Sequence, residues 1–164
     1  MLIRPLTILD LPAVVVIEQA VQVSPWTYVM FEESLFHRDF GWSLMEEDRV
    51  CGYILVKPSS RHCERQRSNP APTLDCFADA RNDGSRGINQ EADILTLAVA
   101  KNQQRKGYGR ALIAFVLTQF DCVYLEVRIS NQVAIKHYEK MGFEIVGKRP
   151  KYCQGEDAFV MKFG

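Results

Sequence analysis

The sequence predicts a single α+β domain in which strands outnumber helices. Three observations lead to this fold class: short alternating apolar stretches along the chain, helix-period patterns near the N-terminus, and a strand, glycine loop and helix in the C-terminal half. A chain of 164 residues can bury a substantial core, and we interpret residues 1–164 as one unit. No internal repeat is visible.

The N-terminal part predicts a strand, two helices and a β-hairpin. Pro5 favours an edge position for the first strand, and Asp10 is a suitable N-cap for the first helix. Apolar periodicity and a polar turn at 46–49 place the remaining boundaries. The predicted elements are strand 2–6, helix 11–21, helix 28–37, strand 42–45 and strand 50–57.

Residues 58–90 differ in composition from the rest of the chain. They combine prolines, glycines, serines and arginines with few apolar side chains. Such a segment cannot bury enough surface to offset its ordering entropy. We therefore predict a disordered or irregular insertion in a loop between two strands, with at most a short helix over 73–80.

The C-terminal part predicts alternating strands and helices. Ser130 and Asn131 can cap a helix whose side chains at 136, 137, 139 and 140 are expected to face water, and Gly142 can end it. A polar, basic loop is predicted between the last two strands. The predicted elements are strand 91–99, helix 107–119, strand 122–127, a helix between the cap at 130–131 and Gly142, strand 143–146 and strand 158–163.

The loop Gln-Arg-Lys-Gly-Tyr-Gly at 104–109 stands between a predicted strand and a predicted helix. Backbone N–H groups at a helix N-terminus attract anions, and glycines allow a phosphate to approach closely. Arg105, Lys106 and Arg110 add positive charge at the same point. The pattern indicates a site for a phosphate-bearing ligand, although it matches neither of the common nucleotide-binding fingerprints.

The composition excludes several classes of function. The formal net charge is zero at pH 7, which argues against direct nucleic-acid binding through a basic surface. No signal peptide or membrane-spanning stretch is visible, so we expect a cytoplasmic protein with no membrane partner. The five cysteines form no CxxC pair, which favours reduced thiols and predicts no metal site: Cys51, Cys63, Cys76, Cys122 and Cys153.

Several short motifs, taken together and in order, resemble the GCN5-related N-acetyltransferase (GNAT) superfamily. Within it, the chain is similar to the RimI-type ribosomal-protein alanine N-acetyltransferases. The likeness covers most of the chain outside 58–90. The matching residues are Ile17-Glu18, Pro25-Trp26, Leu97-Ala98-Val99, 104–110, 125–128, Ser130-Asn131, 134–139, Gly142-Phe143 and Glu156-Asp157-Ala158.

The resemblance implies the GNAT fold, a mixed, mostly antiparallel twisted sheet of about seven strands flanked by about four helices. It also implies acetyl-CoA as co-substrate. The backbone of Leu97, Ala98 and Val99 would bind the pantetheine arm as an added strand does, and Asn131 would contact the cofactor. The pyrophosphate would be held by the loop residues Arg105, Lys106, Gly107, Tyr108, Gly109 and Arg110.

The same resemblance implies two catalytic residues. Glu126 takes the position of the general base, acting directly or through water, and Tyr138 that of the acid that protonates the departing thiolate. From the pattern alone, a Glu flanked by apolar residues on a strand usually faces solvent, and a Tyr on an inner helix face is more often a core residue. Glu91 and Asp93 on the preceding strand are rival bases.

The predicted reaction is acetyl transfer to a primary amine. The RimI-type likeness implies a protein N-terminus as partner, with the N-terminal alanine of ribosomal protein S18 as acceptor. Two alternatives remain open: acetylation of a small-molecule amine, and a non-catalytic acyl-CoA-binding module.

Overall fold

The computed structural model describes residues 1–37, 39–59, 90–153 and 155–164. Seven strands and four α-helices lie in these ranges, with short 3₁₀ turns at Ile8–Asp10 and Lys101–Gln103. In chain order they are β1 Leu2–Pro5, α1 Leu11–Val21, α2 Tyr28–Phe36, β2 Phe40–Glu46, β3 Arg49–Ser59, β4 Glu91–Val99, α3 Tyr108–Gln119, β5 Cys122–Arg128, α4 Gln132–Lys140, β6 Glu144–Cys153 and β7 Glu156–Phe163.

All seven strands form one sheet in the order β1-β2-β3-β4-β5-β7-β6. The pair β4–β5 is parallel and every other pair is antiparallel. The predicted α+β class and mixed seven-stranded sheet with four helices are therefore confirmed. The helix bounds agree with the predicted ones to within one residue at each end, because caps and apolar periodicity are local signals.

The proposed insertion is shorter at its first edge than predicted. Pro58 and Ser59 continue β3 and pair with Ala92 and Glu91 of β4. The rest of that segment, with its possible helix at 73–80, lies outside the described residues.

Both faces of the sheet are covered. Ile54 and Val56 of β3 contribute to a core beneath α3 and α4, which includes Leu112. The alternate residues Tyr53 and Leu55 contribute to a second core beneath α1 and α2. This alternation explains the continuous apolar run of β3, since a strand between two helical layers needs apolar side chains on both sides.

The strands β4 and β5 separate halfway along their length. The ladder between β3 and β4 shifts register where Leu55 pairs with Thr96 and Val56 pairs with Ile94, which leaves Leu95 as an extra residue on β4. Pairing between β4 and β5 ends at Ile94 and Leu125. A bulge bends the strand that carries it, and the C-terminal part of β4 therefore has an open edge.

The predicted polar loop between the last two strands is wrong. Instead, β6 runs through these residues to Cys153, and β7 begins at Glu156. Among the described residues, β6 is the last strand of the sheet, so one of its edges has no neighbouring strand there and tolerates polar residues and Pro150. The ladder is irregular between Arg149 and Cys153, where Lys151 has a φ of 52°.

Candidate active site

A groove of about 1070 Å³ lies at the separation of β4 and β5. Its walls come from the end of α1, the open part of β4, the 104–109 loop, the end of β5 and one face of α4. Eleven of the twelve predicted site residues line it; Lys106 does not. The rival bases Glu91 and Asp93 lie in the paired part of β4 and do not line the groove.

The open edge of β4 presents backbone groups to the groove. The carbonyl of Leu97 accepts a hydrogen bond from Nε2 of Gln22 at 3.0 Å, and the carbonyl of Val99 accepts one from Nε2 of Gln104 at 3.1 Å. Because backbone groups alternate in direction along a strand, the carbonyl of Ala98 faces β3, beside Gly52. Two of the three predicted residues therefore have backbone groups available for an extended ligand.

The 104–109 loop ends in an anion-binding geometry. Gly107 is the N-cap of α3 with a φ of 85°, and none of the side chains that the structure describes caps this helix. The N–H groups of its first turn consequently have no intrahelical partner. Arg105, with a φ of 65°, and Arg110 line the groove beside them. A Cβ added at Gly107 would meet nothing within 4 Å, so the space in front of this turn is open.

Lys106 contacts the β2–β3 hairpin instead of the groove. Its Nζ lies 3.7 Å from Oε2 of Glu46, while the hydroxyl of Tyr108 donates to Oε1 of Glu46 at 2.5 Å. These two contacts, the tyrosine first, hold the pKa of Glu46 below its usual range. The hydrogen bond with Glu46 raises the pKa of Tyr108 to about 12. The side chains of Lys106 and Tyr108 thus attach the loop to the hairpin.

Glu126 lies where β5 leaves β4, one residue after the last parallel pair. Nη1 of Arg149, on β6, lies 2.8 Å from Oε1 and 2.9 Å from Oε2 of this carboxylate. The Glu126 side chain is 27% exposed. A base at this point can reach a ligand in the groove, although in this structure both of its oxygens contact Arg149.

Tyr138 contacts Phe143 in the core and also lines the groove. Burial, followed by the nearby Tyr152, raises the pKa of Tyr138 to about 12. The hydroxyl therefore keeps its proton throughout the neutral range, as an acid requires. Tyr152, on β6, lines the same groove and was not predicted.

Asn131 caps α4, since its Oδ1 accepts a hydrogen bond from the N–H of Ala134 at 3.2 Å. Farther along the same helix, Lys136, His137 and Lys140 line the groove, whereas helical periodicity alone indicated a solvent-facing side. Periodicity separates the core face from the outside and cannot show that a groove follows the outer face.

A buried carboxylate forms part of the N-terminal wall of the groove. Glu18 is 1% exposed and accepts a hydrogen bond from the N–H of Trp26 at 3.1 Å. Its other oxygen contacts the hydroxyls of Tyr53 and Thr96. The cluster joins α1 to β3, β4 and the α1–α2 connection, so Glu18 holds the segment that carries Trp26. The sequence showed Glu18 at helical spacing with the apolar residues of helix 11–21 and as part of a family motif, but it gave no partner for the carboxylate.

Replacing Glu18 by Ala should lower the free energy of unfolding by about 2–4 kcal/mol, because a cavity forms and buried donors lose their acceptor. Glu18→Gln keeps an acceptor for the Trp26 N–H and should lose about 1 kcal/mol. Urea denaturation measures both. Glu32→Ala, at an exposed position on α2, is the control; an equal loss in Glu18→Ala and the control would contradict the structural role.

The described residues fit an elongated phosphate-bearing ligand. Besides the open turn at Gly107 and the carbonyl groups of β4, Oε1 of Gln103 is buried and has no hydrogen-bond partner within the described ranges. Gln103 lines the groove, so a ligand donor could satisfy that oxygen. In the same ranges, no group of three or more His, Cys, Asp or Glu side chains is placed to hold a metal ion.

The fold and the groove together define an acyl-transferase of the GNAT type. Residues 12–143 match the sequence model described as the acetyltransferase (GNAT) family, so the chain belongs to this family and is an N-acetyltransferase. The resemblance inferred from the motifs is confirmed.

Two relatives and one solved structure are similar to this chain over nearly its whole length. The chain is 26% identical over 161 residues to the [Ribosomal protein bS18]-alanine N-acetyltransferase of Escherichia coli (strain K12), covering 93% of this chain and 89% of the relative. It is 28% identical over 167 residues to an N-alpha-acetyltransferase of Sulfurisphaera tokodaii, covering 97% and 90%. The crystal structure of the ribosomal-protein-S18-alanine N-acetyltransferase from Escherichia coli matches with a TM-score of 0.74 and 27% identity, covering 99% of this chain and 92% of that one.

Within the described residues, no helix is long and apolar enough to span a bilayer.

Proposed function

We propose that this N-acetyltransferase moves the acetyl group of acetyl-CoA to the α-amine of a protein N-terminus, with the N-terminal alanine of ribosomal protein S18 as the leading acceptor. The observation that carries the proposal is the groove itself, where an open strand edge and an uncapped helix N-terminus lead to Glu126 and Tyr138. The names of the relatives that span nearly the whole chain support the acceptor class.

In this proposal, acetyl-CoA lies along the groove. The first turn of α3, with Arg105 and Arg110, holds the pyrophosphate, while the side chain of Lys106 stays with Glu46. The backbone of Leu97 and Val99 binds the pantetheine arm, displacing the side-chain amides of Gln22 and Gln104. A β4 N–H polarises the thioester carbonyl, and Asn131 and Gln103 provide further polar contacts.

The chemical step divides between two residues. Glu126 accepts a proton from the acceptor ammonium, and the resulting amine attacks the thioester carbonyl carbon directly. As the carbon–sulfur bond breaks, Tyr138 donates its proton to the thiolate, which leaves as CoA. The attacking nitrogen loses its second proton as the amide forms, and this proton passes through solvent to the Tyr138 phenolate. Tyr138 is thereby regenerated, and the proton held by Glu126 is released to water. No cysteine serves as a nucleophile. An α-amine has a pKa of about 8, against about 10.4 for lysine, so a carboxylate is an adequate base for an N-terminus.

The acceptor is tested by incubating the protein with acetyl-CoA and a peptide beginning Ala-Arg-Tyr-Phe that also contains an internal lysine. We expect mass spectrometry to show one added acetyl group on the α-amine. The same peptide with a blocked N-terminus is the control and should remain unmodified.

Three outcomes would contradict this proposal. Acetylation on lysine alone would exclude the α-amine. Release of CoA only with polyamines or other small amines would favour a small-molecule acceptor. Tight acetyl-CoA binding without turnover of either the peptide or the small amines would indicate a non-catalytic binding module.

A further inference from the structure

The contact between Glu126 and Arg149 joins two elements that are not neighbours in the sheet. Glu126 pairs with Val160 and Arg149 pairs with Ala158, so the two side chains meet across β7. The contact uses one nitrogen: Nη1 of Arg149 is 2.8 and 2.9 Å from the two carboxylate oxygens. In the proposed reaction, the nitrogen of the acceptor amine takes this position beside the Glu126 carboxylate and gives up a proton to it.

Two neighbouring cations on β5 and β6 are paired with other carboxylates. Nζ of Lys148 lies 2.8 Å from Asp157, and Nη1 of Arg128 lies 3.9 Å from Glu156. Among the described ion pairs, Arg149 is therefore the cation that compensates Glu126. The guanidinium of Arg149 also lies 5.7 Å from the ring centroid of Tyr152, so a cation–π contact stabilises it in addition to the ion pair.

The pair is easily exchanged. The Arg149 side chain is 60% exposed, and an ion pair in contact with water is only weakly favourable. An α-ammonium carries the same charge on a single nitrogen with several N–H donors. It can therefore replace Nη1 at Glu126 without leaving the carboxylate unpaired, while the Arg149 guanidinium keeps its contact with the ring of Tyr152.

We propose that Arg149 is the displaceable counter-ion of Glu126 and that its Nη1 occupies the place of the acceptor nitrogen. The inference rests on the proposed function, in which Glu126 is the base. The incoming ammonium displaces Arg149 and passes its proton directly to Glu126, with no intervening water. Arg149 thereby competes with every acceptor and sets the concentration at which the groove fills.

Steady-state kinetics of Arg149→Gln tests this competition. The variant should lower the KM for the acceptor peptide by about three- to fivefold, the range of an exposed ion pair, with kcat within a factor of two. Arg149→Lys restores a cation and should return KM toward the wild-type value. Lys148→Gln removes the neighbouring charge, which contacts Asp157 and not Glu126, and should change neither constant. A fall in kcat at unchanged KM would overturn the proposal, because Arg149 would then position Glu126.

Calorimetry separates this inference from the proposed function. The peptide is titrated into the enzyme saturated with CoA, where no transfer can occur. Arg149→Gln should bind it about three to five times more tightly than the wild type, and the gain should vanish in a Glu126→Gln background. Equal affinities in an enzyme that does acetylate the peptide would overturn the inference alone. Tighter binding in a protein that never transfers acetyl would overturn the proposed function alone.

Discussion

Glu126→Gln is expected to lower kcat by about 10²–10⁴-fold, the range of general-base catalysis. The amide is nearly isosteric and can still contact Arg149, so the groove should keep its shape, but it cannot accept a proton from the ammonium. The dissociation constant for acetyl-CoA should stay within about twofold, because the carboxylate is not among the groups assigned to the cofactor. Stopped-time acetylation assays and calorimetry provide the two readouts.

Glu91→Gln is the matched control. It removes a carboxylate from the paired part of β4, outside the groove, and kcat should be unchanged. Tyr138→Phe tests the other half of the mechanism and should also lower kcat with cofactor affinity retained. A rate loss in Glu91→Gln equal to that in Glu126→Gln would contradict the assignment of the base.

Gly107→Val is expected to weaken acetyl-CoA binding by about 30-fold or more. At a φ of 85° a β-branched residue is strained, and relief of that strain would turn the first N–H groups of α3 away from the phosphates. Losing even one charge-assisted hydrogen bond of about 2 kcal/mol changes affinity by a factor of about 30. Calorimetric titration with acetyl-CoA measures the change.

Gly155→Val is a close match for this substitution. Gly155 has the same φ of 85°, and a Cβ added there would likewise meet nothing within 4 Å, but it lies in the β6–β7 turn. Both variants should lose about 1–2 kcal/mol of folding stability from the left-handed backbone, and only Gly107→Val should lose cofactor affinity. Equal cofactor affinities in the two variants would place the phosphate site elsewhere.

Much of the fold was predictable because its signals are local. Asp10 and Pro12 mark the start of α1, Gly107 marks the start of α3, and alternation marks β4; each signal depends on neighbouring residues only. The end of β6 was not predictable in this way. Its polar residues resemble a loop, and they form a strand because β7 supplies hydrogen-bond partners on one side.

The candidate site likewise has features that local sequence predicts and features that depend on the tertiary structure. The amino-acid sequence by itself determined the elements, the glycine loop and the motif order that led to the family, since these depend on spacing along one chain. Only the tertiary structure showed three contacts. Lys106 forms an ion pair with Glu46, the buried Glu18 accepts a hydrogen bond from the N–H of Trp26, and Arg149 forms an ion pair with Glu126. The physical reason is that an ion pair or a buried carboxylate depends on which side chains meet after strands far apart in sequence have been brought together, and no local pattern specifies those meetings.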